Sequence, residues 1–408
     1  MLTALTRLLP AIALGLGIAA AAPAMADDGV KLQIKDNGLA RTPPMGWNSW
    51  NKFGCDIDET RIHAVADALV SSGMKDAGYQ YVVIDDCWQT GRDTQGNIVA
   101  DAVRFPSGIK ALADYVHSKG LKFGIYSDTG IATCQGRPGS RGYEYQDART
   151  YAAWGVDYLK YDWCNVATQD AKSSYMLMAD ALAKSGRPIV FSICEWGTHQ
   201  PWEWARSVGG NLWRTTGDIW DHWEGPGNHG DWHGVLDILD AEADLYSHAG
   251  PGGWNDPDML EVGNGGMTTT QYQAHFSLWA MLAAPLIAGN DVAHMDAATH
   301  DILTNADVIA VDQDALGVQG RRVFKGAGPE TGQEVWARPL ADGGRAVILL
   351  NRGTTPQTIS AEWAMIGYPA ATQMQVRDLW QHKEMGAYHD RYSVTVPAQG
   401  AVMIRLHP

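Results

Sequence analysis

The sequence predicts an α/β protein: a (β/α)8 TIM barrel followed by a C-terminal antiparallel β-sandwich domain. Three observations carry this. Apolar runs alternate with amphipathic stretches over about 280 residues, the rhythm of a parallel sheet with crossover helices. The runs end repeatedly in acids, which suits the carboxyl-end mouth of a barrel. Near Gly317 the texture changes to short alternating segments separated by turn residues.

Strands are expected near residues 45, 82, 122, 157, 189, 212, 247 and 285. Val82 to Asp86, Leu121 to Asp128, Tyr158 to Asp162, Ile189 to Glu195 and Leu212 to Asp218 each run from apolar residues into an acid. Pro285 to Asp291 closes the series. Between them, Ile62, Val65, Ala66, Leu69 and Val70 sit at helical spacing before Gly73. Ile109 to His117, Tyr175 to Ala183, Val235 to Leu245 and Tyr272 to Leu282 behave likewise, and glycines such as Gly120 and Gly186 close helices. An open doubly wound sheet is the alternative, but no Gly-rich dinucleotide or phosphate loop follows a strand. In the C-terminal part, Gln333 to Arg338, Arg345 to Leu350, Gln375 to Leu379 and Tyr392 to Pro397 read as strands.

Residues 1–26 read as a signal peptide. Arg7 precedes an apolar stretch from Leu8 to Ala22, and Ala24-Met25-Ala26 is a cleavage signal. The stretch is short for a bilayer span, so the expectation is export, to the periplasm or outside the cell, with no membrane attachment after cleavage. The expected domains are then the barrel at 27–316 and the sandwich at 317–408. The formal charge of −15 argues against nucleic acid and anionic lipid as partners and suits a neutral substrate. The 17 tryptophans could supply stacking faces for sugar rings. Five cysteines, all between 55 and 194, allow two bridges and one odd thiol in an exported chain.

The most informative segment is Tyr158-Leu159-Lys160-Tyr161-Asp162-Trp163-Cys164. Alternation along a strand puts Lys160 and Asp162 on one face. A carboxylate beside a lysine is expected to stay ionised, as a nucleophile must. A second acid, Asp218, ends the run two strands later. Hydrolysis of a glycosidic bond needs two such carboxyls facing each other across the sugar.

The chain resembles family 27 glycoside hydrolases, the clan D α-galactosidases. The resemblance rests on Arg41-Thr42-Pro43-Pro44-Met45-Gly46-Trp47-Asn48-Ser49-Trp50, Ile84-Asp85-Asp86-Cys87-Trp88, Tyr158 to Cys164, Cys194-Glu195-Trp196, Gly252 to Met259 and Asp312 to Gly317. It implies a retaining mechanism, with Asp162 as nucleophile and Asp218 as general acid/base. Retention implies carboxyls about 5–5.5 Å apart, against roughly 6.5–9.5 Å for inversion, with Asp162 ionised and Asp218 raised in pKa. It further implies that Asp85 and Asp86 receive the 4- and 6-hydroxyls of galactose and Lys160 the hydroxyls at C3 and C4. Arg214 and Asp258 would serve the 2- and 3-hydroxyls, and Trp50 the aromatic wall. Tyr126 and a Cys134–Cys164 bridge would complete the pocket, with Cys55–Cys87 as a second bridge. Cys194 would be a free, buried core thiol. Glu195, followed by Trp196, would sit by the 2-hydroxyl and favour galactose over N-acetylgalactosamine. The substrate would be a small-molecule or oligosaccharide α-galactoside, such as raffinose-type sugars or galactomannan side chains.

No cofactor or metal is expected. His222, His229 and His233, with Asp221 and Asp231, lack ligand spacing and read as a pocket rim. Competing readings are a β-L-arabinopyranosidase or an α-N-acetylgalactosaminidase on the same fold, a catalytically dead sugar-binding protein, and a metal-dependent barrel enzyme.

Overall fold

The computed structural model describes residues 36–227, 232–326 and 332–408. The signal-peptide expectation, and His229 and Asp231, lie outside the described residues. Eight strands form one parallel sheet: β1 (Met45–Asn48), β2 (Tyr81–Val83), β3 (Lys122–Asp128), β4 (Tyr158–Asp162), β5 (Val190–Ile193), β6 (Leu212–Arg214), β7 (Trp254–Asp256) and β8 (Leu286–Ala288). The order is β8-β1-β2-β3-β4-β5-β6-β7. The ends meet just past β7, where Leu260 donates to the Ile287 carbonyl at 2.8 Å and accepts from the Gly289 amide at 3.0 Å. A sheet closed this way has no free edge.

Alternation along the strands makes two cores. Outward residues, including Trp47, Phe123, Leu159, Phe191 and Trp213, pack among the helices. Inward residues Tyr81, Val83, Tyr158, Val190, Leu212 and Trp254 plug the lower barrel. Gly46 is required on β1, because a Cβ there would stand 2.5 Å from the Tyr81 carbonyl oxygen.

Helices Glu59–Ser71, Ile109–Ser118, Ala171–Ala183, Val235–Glu242 and Thr269–Leu282 fall where the periodicity predicts. Asp58 and Asp170 cap two of them through side-chain bonds to Arg61 and Ser173 amides. Two differences from expectation are physical. Strand β7 lies at 254–256 rather than near 247, because residues 246–248 form turns after the preceding helix. Between β5 and β6 the crossover is two short 3-10 turns, Pro201–Glu203 and Ala205–Val208, rather than an α-helix.

Among the described residues eight further strands follow: β9 (Arg321–Lys325), β10 (Gln333–Pro339), β11 (Arg345–Asn351), β12 (Gln357–Glu362), β13 (Gln373–Asp378), β14 (Lys383–His389), β15 (Arg391–Val396) and β16 (Gly400–His407). Six form an antiparallel sheet in the order β9-β10-β11-β16-β13-β14, and β12 pairs with β15. Their shared core includes Val335, Val347, Leu349, Trp363 and Tyr392. Arg338 anchors this sheet to the barrel's helices. Its buried guanidinium donates to the carbonyls of Ala280 at 2.7 Å and Asp312 at 3.2 Å.

Candidate active site

The apolar plug ends midway up the barrel, and the same inward parity then delivers polar residues. On β4 the inward series is Tyr158, Lys160, Asp162. Tyr126 lies opposite Lys160 across the β3–β4 pairing, and Asp128 opposite Asp162. Arg214 lies opposite Asp256 on β6 and β7. A ring of acids and two cations therefore sits at the carboxyl ends of the strands.

Asp162 is 5% exposed. Its Oδ2 accepts from the Tyr126 hydroxyl at 2.9 Å and its Oδ1 from the Trp163 amide at 3.1 Å. Cys55–Cys87 and Cys134–Cys164 are both bridged, and Cys134 Sγ lies 3.6 Å from Asp162 Oδ2. Lys160 makes its ion pair with Asp85, at 2.8 Å, rather than with Asp162. Asn48 donates to the same Asp85 oxygen at 2.8 Å. Lys160 is expected to keep Asp162 ionised, and burial works against this. Burial pushes the Asp162 pKa up to about 7, against the pull of Lys160 and the Tyr126 hydroxyl, with Asp218 and Asp85 adding repulsion. Burial likewise pushes Asp128 up to about 8 and Asp256 up to about 6.

Asp86 turns away from Asp85, toward the loop after β3. It accepts from the Thr133 hydroxyl at 2.9 Å and the Gln135 amide at 3.0 Å. Arg214, buried, reaches Asp258 at 2.9 Å and Asp218 at 3.1 Å with one nitrogen. Asp258 Oδ2 also takes the Ile219 amide at 2.8 Å, which fixes the segment carrying Asp218. Asp218 is far more open than Asp162, with 34% of its side chain exposed. Trp50 follows β1 directly, and its amide is held by Asn48 Oδ1 at 2.8 Å.

Two expectations around β5 change. Phe191 and Ile193 face the helices, so Ser192 and Cys194 face inward and Glu195 does not. Glu195 is fully buried, and its Oε2 is taken by the Thr198 hydroxyl, the His199 amide and the His199 ring, each at 2.7 Å. It does not join the acid ring. Cys194 is free and buried as expected, but it belongs to none of the apolar cores; its Sγ lies 3.7 Å from Arg214 Nη1. Trp196, half-buried and at a φ of 57°, turns the chain out of the barrel. Asp291 stays outside the ring, 3.1 Å from His294. Asn48 and Cys194 are site residues that the sequence reading missed, although strand parity marks both.

Asp128, Cys134 and Cys164 are the one described group converging like metal ligands, but the sulfurs are joined and offer no thiolate. Asp221 is occupied by the Gly266 amide and the Tyr272 hydroxyl, and the His222 ring stacks on Trp220.

Two carboxyls of unlike exposure, on β4 and just past β6, in a pocket of polar side chains at a barrel mouth, form the arrangement of a glycoside hydrolase. Residues 42–314 match the family model described as alpha galactosidase A, and residues 330–406 match the alpha galactosidase C-terminal β-sandwich domain. The chain belongs to the α-galactosidase family, glycoside hydrolase family 27. It is 53% identical to alpha-galactosidase A of Cellvibrio japonicus, covering 91% of this chain and 93% of that protein. α-Galactosidase I of Mortierella vinacea superposes with a TM-score of 0.88 at 40% identity, over 91% of this chain and 98% of that one. The Saccharomyces cerevisiae α-galactosidase solved with raffinose gives a TM-score of 0.87 at 33% identity, over 91% and 99%.

Proposed function

We propose that the chain is an exported, exo-acting, retaining α-galactosidase. It removes terminal α-D-galactosyl residues from galacto-oligosaccharides or galactomannan through a covalent glycosyl-enzyme. The observation that carries this is the setting of Asp162. Both of its oxygens are oriented by neutral donors, Tyr126 and Trp163, and among the described residues it makes no direct ion pair. A carboxylate held that way keeps an unblocked lone pair for the anomeric carbon.

Asp162 attacks that carbon while Asp218, the more open carboxyl, protonates the departing oxygen. Asp218 then takes a proton from the water that releases galactose. Asp85, with Lys160 and Asn48 on one of its oxygens, and Asp86 recognise the hydroxyls at C3, C4 and C6. Arg214 and Asp258 serve those at C2 and C3. Trp50 walls the ring. A site of this kind rejects sugars that leave its buried groups unpaired. Raffinose-type sugars fit the reading, since a neighbouring structure was solved with raffinose. Export fits two bridges between 55 and 164, and among the described residues no helix is long and apolar enough to cross a membrane.

Because Glu195 faces away, selection against the N-acetyl group does not rest on it. A panel of 4-nitrophenyl glycosides tests the reading. The α-galactoside should exceed the β-L-arabinopyranoside and the α-N-acetylgalactosaminide by about tenfold or more in kcat/KM. A faster reaction with either of the others would replace the assignment.

A further inference from the structure

On the helix side of β6 and β7, behind the acid ring, lies a buried polar network. Thr215 follows Arg214, and strand parity turns its side chain outward, toward helix Val235–Glu242. Glu242, the last residue of that helix, is fully buried, and its Oε1 is in hydrogen-bond contact with the Thr215 hydroxyl. Among the described residues its Oε2 takes one long bond from a side chain, the Gln319 amide at 3.4 Å.

The polarity of this network is fixed from its far end. The Trp213 indole N–H can only donate, and it donates to Asn255 Oδ1 at 2.8 Å. The Asn255 amide then donates to Gln319 Oε1, at 2.9 Å, and the Gln319 amide to Glu242. One contact remains. The Thr215 hydroxyl lies against Glu242 Oε1 and 3.2 Å from the Asp256 carbonyl. Its single proton cannot serve both acceptors. A proton on Glu242 gives each contact its own hydrogen: Glu242 donates to Thr215, and Thr215 to Asp256.

The surrounding charges favour that proton. On the same helix Asp240 is turned to Arg322 and Arg352, and Asp244 beyond it is exposed. Arg322 of β9 is held by Asp240 and Glu334. Arg214 of β6 is held by Asp258 and Asp218, and His275 of helix Thr269–Leu282 takes the Glu261 amide. Among the described residues Glu242 joins no ion pair. Burial pushes its carboxyl up to about 7, with Asp256 adding repulsion, against the Thr215 and Gln319 bonds.

We infer that Glu242 is a neutral hydrogen-bond donor and a positioning residue, tying its helix to β6 and β7 directly behind Arg214. Through Thr215 it holds the segment 214–218, in which Arg214 meets Asp218 at 3.1 Å. Ionisation of Glu242 draws the Thr215 proton to the carboxylate and leaves the Asp256 contact unmade. The effect on turnover rests on the α-galactosidase reading; the proton on Glu242 does not.

The test uses Glu242→Gln, whose amide donates to Thr215 at every pH, and Glu242→Leu, which fills the space without a donor. A carboxyl raised on folding contributes stability below its unfolded value of 4.5, and this is lost as pH rises through about 7. The melting point of Glu242→Gln should therefore match wild type near about pH 5 and exceed it by about 2 °C or more near about pH 8. An offset equal at both pH values overturns the neutral donor. Near about pH 5, kcat/KM for melibiose should stay within about twofold of wild type in Glu242→Gln and fall about tenfold in Glu242→Leu. Equal activity in all three proteins, or a Gln variant as weak as the Leu variant, overturns the positioning role. Should Glu242→Leu fail to fold, the melting gap and the activity of Glu242→Gln decide. A wild-type enzyme inactive on melibiose would count against the α-galactosidase reading, while the melting comparison still tests the proton.

Discussion

Asp162→Asn is expected to lower kcat by roughly ten-thousand-fold or more on every α-galactoside while leaving the thermal melting point within a few degrees. The amide oxygen can still accept from the Tyr126 hydroxyl, at the position where Oδ2 does so now at 2.9 Å, so the wall of the pocket is kept. The change takes the acceptor from the Trp163 amide, but it also removes a carboxyl that burial disfavours in its charged form, and the two effects offset each other. What disappears is the nucleophile. The same burial shapes the pH profile. Reaction needs Asp162 ionised, and burial raises its pKa above the ordinary 3.8. Activity must therefore be lost as pH falls through that raised value. The acid limb of kcat/KM should lie above 3.8. Full activity in Asp162→Asn would remove Asp162 from the mechanism.

Asp218→Ala should separate substrates by leaving group. A general acid contributes about 10²- to 10⁴-fold, and only where the departing oxygen needs a proton. We expect a loss of that size in kcat/KM for melibiose and a much smaller one for α-galactosyl fluoride, whose leaving group departs unassisted. Azide, which needs no base to attack the glycosyl-enzyme, should restore turnover of the fluoride and yield galactosyl azide. Asp218 has 34% of its side chain exposed, so its truncation leaves no buried gap, although Arg214 keeps Asp258 as its partner at 2.9 Å. Equal losses on both substrates would mean that Asp218 binds rather than protonates.

The barrel was legible because its strands are short apolar runs ending in acids, and because the intervening helices keep a 3.6-residue period. The seventh strand was not. Trp254–Asp256 is three residues long and flanked by Gly253 and Pro257, so it offers too few apolar positions to form a pattern. In the C-terminal part, β14 was missed because Lys383–His389 is mostly exposed and carries no alternation of apolar residues.

The acid ring was legible as a set, but pairwise partners were not. Lys160 and Asp162 share a face, yet the lysine reaches across the barrel to Asp85. That choice depends on how far β2 and β4 stand apart at the mouth, which no spacing along one strand encodes. Glu195 is a case of placement. The resemblance put it by the sugar, whereas the parity of Phe191 and Ile193, both on the helix side, already assigned the inward place to Cys194.

The central claim is that Asp162 forms a covalent galactosyl-enzyme, so that two inversions return the starting configuration. Proton NMR of the first minutes of hydrolysis, before mutarotation, reads this directly. The account predicts that α-galactose appears first and β-galactose grows in later. β-Galactose as the first product would contradict it.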